Sequence, residues 1–382
     1  METKPLSPNL TEKLFSLIRC GLDLASETPD LSAEDLAALL PVGMKQLIQP
    51  ILYRAIRRCR VPEESVQEYD QARMHYTYLV IQFSEALKSI AAAFDESGIP
   101  YVPLKGSVIR ALYPVPELRT CNDIDVLVHE EQLDKAVQIL ESKTDFRTLQ
   151  RDYHDISMVN ARVHLELHFT LKHNAENIDG LLADAWDYAS PTGKGSCYAF
   201  TPEFQIFHVT AHMFKHFTNG GLGIRPFIDL WLLRHKTQFD EATVREMCEK
   251  CGILTFYEAC CHLSEVWLNK AEHTETTKML EAACLSGGVY GSDHFGNAGR
   301  QREIRGWRYI ASRIFPPVSE IKAYYPDDSG KDHSPVYYYA KRVGTWLGRG
   351  KRHELKAKFS DILSSDPEYL DSVDELFKRL GL

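Results

Sequence analysis

The chain has 382 residues, enough for two or three domains, and its hydrophobic content of 44% and charged content of 25% are ordinary for a globular protein. No apolar run approaches the ~20 residues of a membrane span, and the N-terminus lacks the apolar core of a signal peptide, so we expect a cytoplasmic protein that does not enter a membrane. The net charge of −9 argues against a protein that coats nucleic acid, and we expect no extended DNA binding.

Helical periodicity dominates the first hundred residues. Residues 9–60 predict short amphipathic helices, and Pro62 then breaks the chain. Residues 63–97 predict one long helix that ends at Gly98-Ile99-Pro100. We assign residues 1–74 to an N-terminal helical segment.

Strands mixed with short helices follow. The predicted strands are 101–104, 124–128, 146–149, 155–159 and 163–169, and the predicted helices between them are 106–113 and 131–142. This alternation indicates a small domain with a mixed sheet. We therefore predict an α+β fold in which this domain, residues 75–200, is flanked by the N-terminal helices and by a C-terminal helical domain, residues 201–382.

The C-terminal part is almost entirely helical in pattern. The predicted helices are 202–218, 225–236, 240–251, 253–269 and 273–285. A glycine-rich loop follows at 287–299, and we interpret Gly287–Gly291 as a mobile loop and candidate lid, because it lacks the Lys-Ser/Thr of a P-loop. Segments rich in Tyr and Pro, such as Phe315-Pro316-Pro317 and Tyr324-Tyr325-Pro326, then precede a final pair of helices.

Residues 300–360 depart from the acidic average, with 14 Lys and Arg against 6 Asp and Glu. A basic surface there could contact an anionic substrate or a nucleic acid. The simpler interpretation is a solvated helical surface. Both interpretations stay open.

Nine cysteines are scattered along the chain, which predicts reduced thiols and not a disulfide framework. Cys248-x-x-Cys251, followed by Cys260-Cys261-His262, could supply zinc ligands. However, the pattern of this segment predicts two helices, and the second Cys-x-x-Cys that is usual in a zinc site is missing. We predict buried helical cysteines there.

The motif with the clearest chemistry is Asn122-Asp123-Ile124-Asp125, shortly after Lys105-Gly106-Ser107. Carboxylates at i and i+2 of a strand project from the same face. Hard divalent cations prefer clustered carboxylate oxygens, with room left for substrate phosphates. The Gly-Ser turn supplies backbone N–H groups and a hydroxyl for phosphate. Together these residues suggest metal-assisted nucleotidyl transfer.

A third carboxylate usually helps two-metal phosphoryl transfer, and Glu166 is our candidate. Alternation along Val163–Phe169 puts it on the face opposite the core. If this strand neighbours the strand of the Asp pair, the three acids share one site. Asp152 and Asp155 lie nearby in sequence and stay as alternatives.

Two further pairs have helical i, i+4 spacing. His212 and His216 resemble a metal-binding pair but lack a third ligand, so we predict histidines that pack in the helix and line the cleft wall. Arg225 and Asp229 are most simply a helix ion pair.

Taken together, these motifs resemble the uncharacterised nucleotidyltransferase family, which belongs to the DNA polymerase β-like superfamily. The resemblance rests on Lys105-Gly106-Ser107, Leu112-Tyr113-Pro114-x-Pro116-x-x-Arg119, Asp123-Ile124-Asp125, Glu166-x-His168, His212-x-x-x-His216, Arg225-x-x-x-Asp229, Gly287–Gly291 and Phe315-Pro316. One departure is the spacing of 15 positions between Ser107 and Asp123, a little longer than is commonest in the superfamily.

The resemblance implies a transferase that moves a nucleoside monophosphate from a nucleoside triphosphate, such as ATP, to an acceptor hydroxyl and releases pyrophosphate. It implies that Asp123, Asp125 and Glu166 are the catalytic residues and the ligands of two Mg²⁺ ions, or of Mn²⁺ in their place. The acceptor is not identified, since similar cores modify small molecules, nucleic acids and proteins.

The resemblance also implies that Gly106 and Ser107 contact the triphosphate and that Lys105 and Arg119 are its charge partners. Lys105 could instead be a surface residue at a helix start, and Arg119 could make a structural salt bridge to an Asp. Two alternatives for the whole protein stay open. One is a catalytically degenerate protein that binds a nucleotide or a partner, and the other is an enzyme that nucleotidylates RNA or protein.

Overall fold

The structure is a computed structural model that describes residues 6–61, 67–121, 123–172, 176–302, 304, 308, 334–348 and 366–382. Two predicted features, Phe315-Pro316-Pro317 and Tyr324-Tyr325-Pro326, lie outside the described residues, as does most of the basic region 300–360. Asn122, next to the Asp pair, also lies outside them.

Five strands form one mixed sheet, and the predicted α+β fold is confirmed. They are β1 (Tyr101–Pro103), β2 (Asp123–Val128), β3 (Arg147–Arg151), β4 (Asp155–Val159) and β5 (His164–His168), arranged in the order β1-β2-β5-β4-β3. The central pair, β2 and β5, is parallel, and the other neighbours are antiparallel. All five strands match predicted strands to within about two residues at either end.

Helices cover one face of this sheet and leave the other face for the site. The covering helices are α4 (Gln67–Ser97) and α6 (Leu133–Lys143). Their apolar residues form one buried cluster with Ile124, Val126 and Leu165 of the central strands. Since side chains alternate along a strand, the polar residues of β2 and β5 point to the opposite face.

The N-terminal helices α1 (Pro8–Gly21), α2 (Ala33–Lys45) and α3 (Gln49–Ile56) share a second buried cluster with the C-terminal helices. Phe15 stacks on Trp267 with ring centroids 4.7 Å apart. Arg19 Nη1 donates a hydrogen bond of 2.9 Å to the Trp267 carbonyl oxygen. Segments at opposite ends of the chain therefore build one helical layer. The domain boundaries near residues 74 and 200 stay predictions.

The remaining helices are α5 (Gly106–Ile109), α7 (Glu176–Ala183), α8 (Pro202–Asn219), α9 (Ile224–Lys236), α10 (Glu241–Lys250), α11 (Leu254–Asn269), α12 (Glu275–Ser286), α13 (Asp293–Arg300), α14 (Pro335–Gly348) and α15 (Pro367–Arg379). Helices α8 to α12 match predicted helices to within about two residues at either end, whereas α7 was not predicted. None of the helices in the described ranges is both long and apolar enough to cross a membrane.

Two local predictions were wrong. The predicted loop 287–299 contains helix α13, whose N-terminus is capped by Ser292 accepting from Phe295 N–H at 3.1 Å. Glycine disfavours helices, but a Cβ at Gly296 would lie 2.3 Å from the Asn219 carbonyl oxygen, so close packing requires glycine here. The predicted helix 106–113 is α5 followed by a 3₁₀ turn, Arg110–Leu112. A hairpin of two strands with three residues each, β6 (Ala189–Pro191) and β7 (Tyr198–Phe200), was not predicted because such short strands show no alternation.

All nine cysteines are free, as predicted. Burial raises the pKa of Cys251 to about 11 and that of Cys261 to about 12, as expected for thiols packed among apolar side chains. His262 Nε2 donates to the Glu272 carbonyl oxygen at 3.0 Å. The Cys/His cluster is therefore part of the helical packing.

Leu165→Ala tests the central position of β5. Leu165 is 0% exposed, so the substitution should lower the free energy of unfolding by about 2–5 kcal/mol through lost burial and a cavity. Leu149→Ala on β3 is the matched control, because Leu149 is 66% exposed and its truncation should change stability by less than about 0.5 kcal/mol. Urea unfolding measures both, and similar losses for the two variants would contradict this sheet order.

Candidate active site

A cavity of about 400 Å³ opens between the uncovered face of the sheet and helices α8 and α9. Six of the seven predicted site residues line it, namely Lys105, Gly106, Arg119, Asp123, Asp125 and Glu166. Ser107 is not among its lining residues. Within the described part of the chain, the Ser107 hydroxyl is buried without a hydrogen-bond partner.

The parallel pairing of β2 with β5 brings the acids together. Its register sets Asp125 directly beside Glu166, and Asp123 beside His164. One ligand atom each from Asp125, Glu166 and His168 lies within 4.8 Å of the other two. Strands β2 and β5 are therefore neighbours, as expected. Asp123 lies two residues before Asp125 on β2 and lines the same cavity.

Asp125 carries the strongest interactions in the cavity. The carboxylate is 3% exposed, and its Oδ1 accepts from Lys105 Nζ at 2.7 Å and from His168 Nε2 at 3.0 Å. Burial favours the neutral acid, but Lys105 and His168 outweigh it and hold the pKa of Asp125 well below its ordinary value. Asp125 is therefore a carboxylate at neutral pH.

The other two acids respond differently to the same surroundings. Burial and the nearby Asp125 carboxylate raise the pKa of Asp123. His168 Nε2 lies 3.4 Å from Glu166 Oε2, and this contact lowers the pKa of Glu166 despite its partial burial. Three acids share the cavity with crowded negative charge, and a bound cation would relieve that repulsion.

Lys105 and Gly106 form the turn between β1 and α5. Lys105 has φ +42°, a left-handed conformation that is uncommon for a residue with a side chain. Leu104 N–H donates to the Asp125 carbonyl oxygen at 3.0 Å, which fixes the turn beside β2. A Cβ at Gly106 would lie 2.3 Å from Cys121 Sγ and 2.4 Å from Arg119 Nη1, so a larger residue would force these side chains to move.

One N–H group of this turn already has a partner. The turn was predicted to supply free backbone N–H groups for phosphate, but Ser107 N–H donates to the Leu104 carbonyl oxygen at 3.0 Å. The Ser107 N–H has this partner because α5 begins with a tight turn immediately after β1. Lys105 is also not a plain surface residue, since its ammonium is bound to Asp125.

A buried ion pair joins the loop before β2 to helix α9. Arg119 Nε and Nη2 donate to the two carboxylate oxygens of Asp229 at 3.0 and 2.8 Å. Tyr113 OH donates to Asp229 Oδ1 at 2.8 Å. Arg119 was interpreted either as a charge partner of the triphosphate or as part of a structural salt bridge to an Asp. The salt bridge is present, and Arg119 also lines the cavity.

The predicted ion pair between Arg225 and Asp229 was wrong, because Arg119 of the loop binds the Asp229 carboxylate in its place. Arg225 Nη1 instead donates to the Thr120 carbonyl oxygen at 3.2 Å, and its Nη2 donates to Tyr290 OH at 3.4 Å. Arg119 from the loop and Arg225 from α9 thus both connect the segment that leads into β2 to helix α9.

Helix α8 forms the opposite wall of the cavity. His212 and His216 line it, as predicted, with their Nε2 atoms 3.1 Å apart. Burial lowers the pKa of His216 to about 4, so this ring is neutral at pH 7. Lys215 lines the same wall, and burial lowers the pKa of its ammonium.

The Gly287–Gly291 loop closes one side of the cavity. Val289 N–H donates to the Lys45 carbonyl oxygen at 2.9 Å, and Gly223 N–H donates to the Val289 carbonyl oxygen at 3.1 Å. These bonds hold the loop against α2 and the start of α9. In the structure it is a wall of the cavity and not a flap that stands away from it.

Sequence reasoning missed several lining residues. His168 was recognised from the sequence as part of the Glu166-x-His168 motif, on the same strand face as Glu166, but it was given no role in the site. His154, Lys215 and Tyr290 carry no local signal, since they reach the cavity only through the packing of β4, α8 and the glycine-rich loop against the sheet.

Asp229→Asn tests the buried ion pair. Arg119 is 7% exposed and Asp229 is 4% exposed, so neutralising Asp229 leaves a buried guanidinium without its counter-charge. We expect a loss of about 3–5 kcal/mol in the free energy of unfolding. Asp134→Asn is the matched control, since the Arg151–Asp134 pair is exposed and should contribute less than about 1 kcal/mol. Equal losses in urea unfolding would show that the Asp229 pair is not structural.

Two solved structures that match part of this chain are of the antibiotic-resistance factor ANT(2'')-Ia. Its solution structure is 15% identical with a TM-score of 0.34, over 45% of this chain and 91% of that chain. Its crystal structure in complex with adenylyl-2''-tobramycin is 16% identical with a TM-score of 0.27, over 51% of this chain and 98% of that chain. Similarity at this level supports no conclusion about this chain. No curated protein matches it.

Comparison with models of protein families identifies the family of this chain. The model described as "uncharacterised nucleotidyltransferase" matches residues 32–269, which is more than half of the chain. The matched range contains Asp123, Asp125 and Glu166 together with both helices that face them across the cavity. The resemblance found in the sequence is confirmed, and the chain belongs to the uncharacterised nucleotidyltransferase family.

Proposed function

We propose that this nucleotidyltransferase depends on Mg²⁺ and moves a nucleoside monophosphate from a nucleoside triphosphate to an acceptor hydroxyl, with release of pyrophosphate. The observation that carries the proposal is the register of β2 and β5, which sets Asp125 beside Glu166 in a cavity that Asp123 also lines. We further propose that ATP is among its donors and that it works in the cytoplasm.

The donor set fits a hard divalent cation. Carboxylate oxygens are the ligands that Mg²⁺ prefers, and three such groups share the cavity. We propose that Asp123, Asp125 and Glu166 hold two Mg²⁺ ions, or Mn²⁺ ions in their place. When bound, the ions would supply positive charge that stabilises the attacking and leaving oxygens of the transfer.

The turn at Lys105 and Gly106 is suited to the triphosphate. Gly106 has no side chain, so a phosphate could approach its backbone closely. Lys105 offers an ammonium at the same edge of the cavity, and it would exchange part of its contact with Asp125 for phosphate oxygens. The buried Ser107 hydroxyl is a further proposed contact, which would need a small shift of the turn to reach the cavity.

Arg119 would act on the triphosphate mainly through position. Its guanidinium is held by Asp229 and abuts Gly106, so it fixes the turn that would bind phosphate. Its charge adds to that of Arg225 on the same side of the cavity. Catalysis would rest on charge and positioning more than on a dedicated protein base.

The acceptor stays open among small molecules, RNA and protein. An RNA or protein acceptor would need a contact surface, and the basic region 300–360 is the proposed one. Charge reversal at Arg302, Arg305 and Arg308 would then weaken acceptor binding in a gel-shift or pull-down measurement. Unchanged transfer to a small molecule in the same variant would favour a small-molecule acceptor.

Calorimetric titration of ATP, GTP, CTP and UTP with Mg²⁺ tests the proposed function. We expect binding of at least one nucleotide that needs Mg²⁺ and is abolished in Asp123→Asn/Asp125→Asn, because the carboxylate ligands are lost. Glu166→Gln should weaken it as well. Asp152→Asn is the matched control: Asp152 is exposed and is not among the residues that line the cavity, so its removal should leave binding unchanged.

Three outcomes would contradict parts of this proposal. Binding that survives the double substitution would place the nucleotide elsewhere. Loss of binding in Asp152→Asn but not in Glu166→Gln would give the role of third acid to Asp152. Nucleotide binding without pyrophosphate release in the presence of a broad acceptor panel would favour the degenerate, binding-only alternative.

A further inference from the structure

A second group of metal-type donors lies beside the acidic site, on the pair of strands β4 and β5. The antiparallel register of these strands sets Asp155 opposite His168, and His154 precedes Asp155 in the chain. One ligand atom from each of the three residues lies within 4.8 Å of the other two. The group therefore combines two imidazole nitrogens and one carboxylate oxygen.

The distances suit coordination of one ion. Two ligand atoms bound tetrahedrally to a zinc-type ion at ~2.0–2.2 Å lie about 3.4 Å apart. His154 Nε2 lies 3.1 Å from Asp155 Oδ2, and the rings of His154 and His168 have centroids 5.7 Å apart. Small rotations of the two rings would direct three donor atoms at a common point.

The open nitrogen of His168 is an independent observation. His168 is 4% exposed, and its Nε2 contacts Asp125 Oδ1 at 3.0 Å. In the described part of the chain, its Nδ1 is buried and has no hydrogen-bond partner. Buried polar atoms are nearly always satisfied, so an orphaned ring nitrogen needs a partner. A carboxylate on one nitrogen and a metal on the other is the usual arrangement of a ligating histidine.

We propose that His154, Asp155 and His168 bind one transition-metal dication of the zinc type. Imidazole ligands favour such ions over Mg²⁺, which prefers oxygen. His154 and His168 both line the cavity, which gives the ion a path of entry and leaves a coordination position facing the cavity. This site is separate from the magnesium site proposed for the three acids.

The bound ion would act on the active site through position. It would link β4 to β5 and fix the ring of His168, whose other nitrogen contacts Asp125. The orientation of the Asp125 carboxylate would then depend on the occupancy of a neighbouring site. His168 thus connects the two sites, as a ligand of one and a hydrogen-bond partner of Asp125 in the other.

Titration of the full-length protein with Co²⁺, without nucleotide, tests the proposal. Excess Mg²⁺ occupies oxygen-only sites, and a mildly alkaline buffer keeps both imidazoles free to bind. We expect one Co²⁺ ion to bind per chain. Its visible absorption band should be intense, as is usual when Co²⁺ has a low coordination number. His154→Ala and Asp155→Asn should each weaken the site by on the order of 100-fold, since even outer-shell changes cost about 10–100-fold.

Two controls separate this site from other binding. Glu166→Gln removes a carboxylate of the acidic site but no proposed ligand here, and His75→Ala removes an exposed histidine on α4. Both variants should keep the band. Far-UV circular dichroism checks that each variant is folded. If His154→Ala is misfolded, the band of the isosteric variant Asp155→Asn alone tests the proposed ligands.

The proposal is overturned if wild-type protein shows no stoichiometric band. It is also overturned if the band survives in folded His154→Ala and Asp155→Asn, or if it disappears in Glu166→Gln. Because neither nucleotide nor turnover enters the experiment, such a failure is distinct from a failure of the proposed transfer reaction.

Discussion

The parallel pairing of β2 with β5 is the constraint on which the candidate site depends. It sets carboxylates from two strands side by side in a partly buried cavity, where like charges repel and each charge loses hydration. Lys105 and His168 offset this cost by contacting Asp125. The repulsion among the three clustered carboxylates is what a bound divalent cation would reduce, because such cations prefer clustered carboxylate oxygens.

Long-range contacts then build the cavity around that pair of strands. The buried Arg119–Asp229 pair connects the loop before β2 to α9, and Arg225 binds Thr120 from the same helix. Arg119 also abuts Gly106, where an added side chain would displace the guanidinium. The Lys105–Gly106 turn, strand β2 and the helical wall of the cavity are thus fixed by one set of contacts, so a change in any of them should disturb the others.

Local patterns in the sequence predicted the strands, most helices and the acids of the site, because alternation and helical periodicity depend on neighbours in the chain. The position of Glu166 beside Asp125 needed only the additional assumption that their strands pair. The partner of Asp229 could not be predicted, since a helix neighbour at i−4 and a loop arginine 110 residues away compete for it, and only packing decides. Helix α13 was missed because its glycines serve tertiary contacts and oppose the local preference.

Crystals grown with Mn²⁺ and a non-hydrolysable nucleoside triphosphate would test the central claim most directly. Anomalous diffraction at the manganese edge locates the ion without reference to activity or to the unknown acceptor. We predict a manganese peak among the carboxylates of Asp123, Asp125 and Glu166, with the triphosphate next to Gly106. Manganese and nucleotide bound elsewhere, with these three carboxylates free of metal, would contradict it.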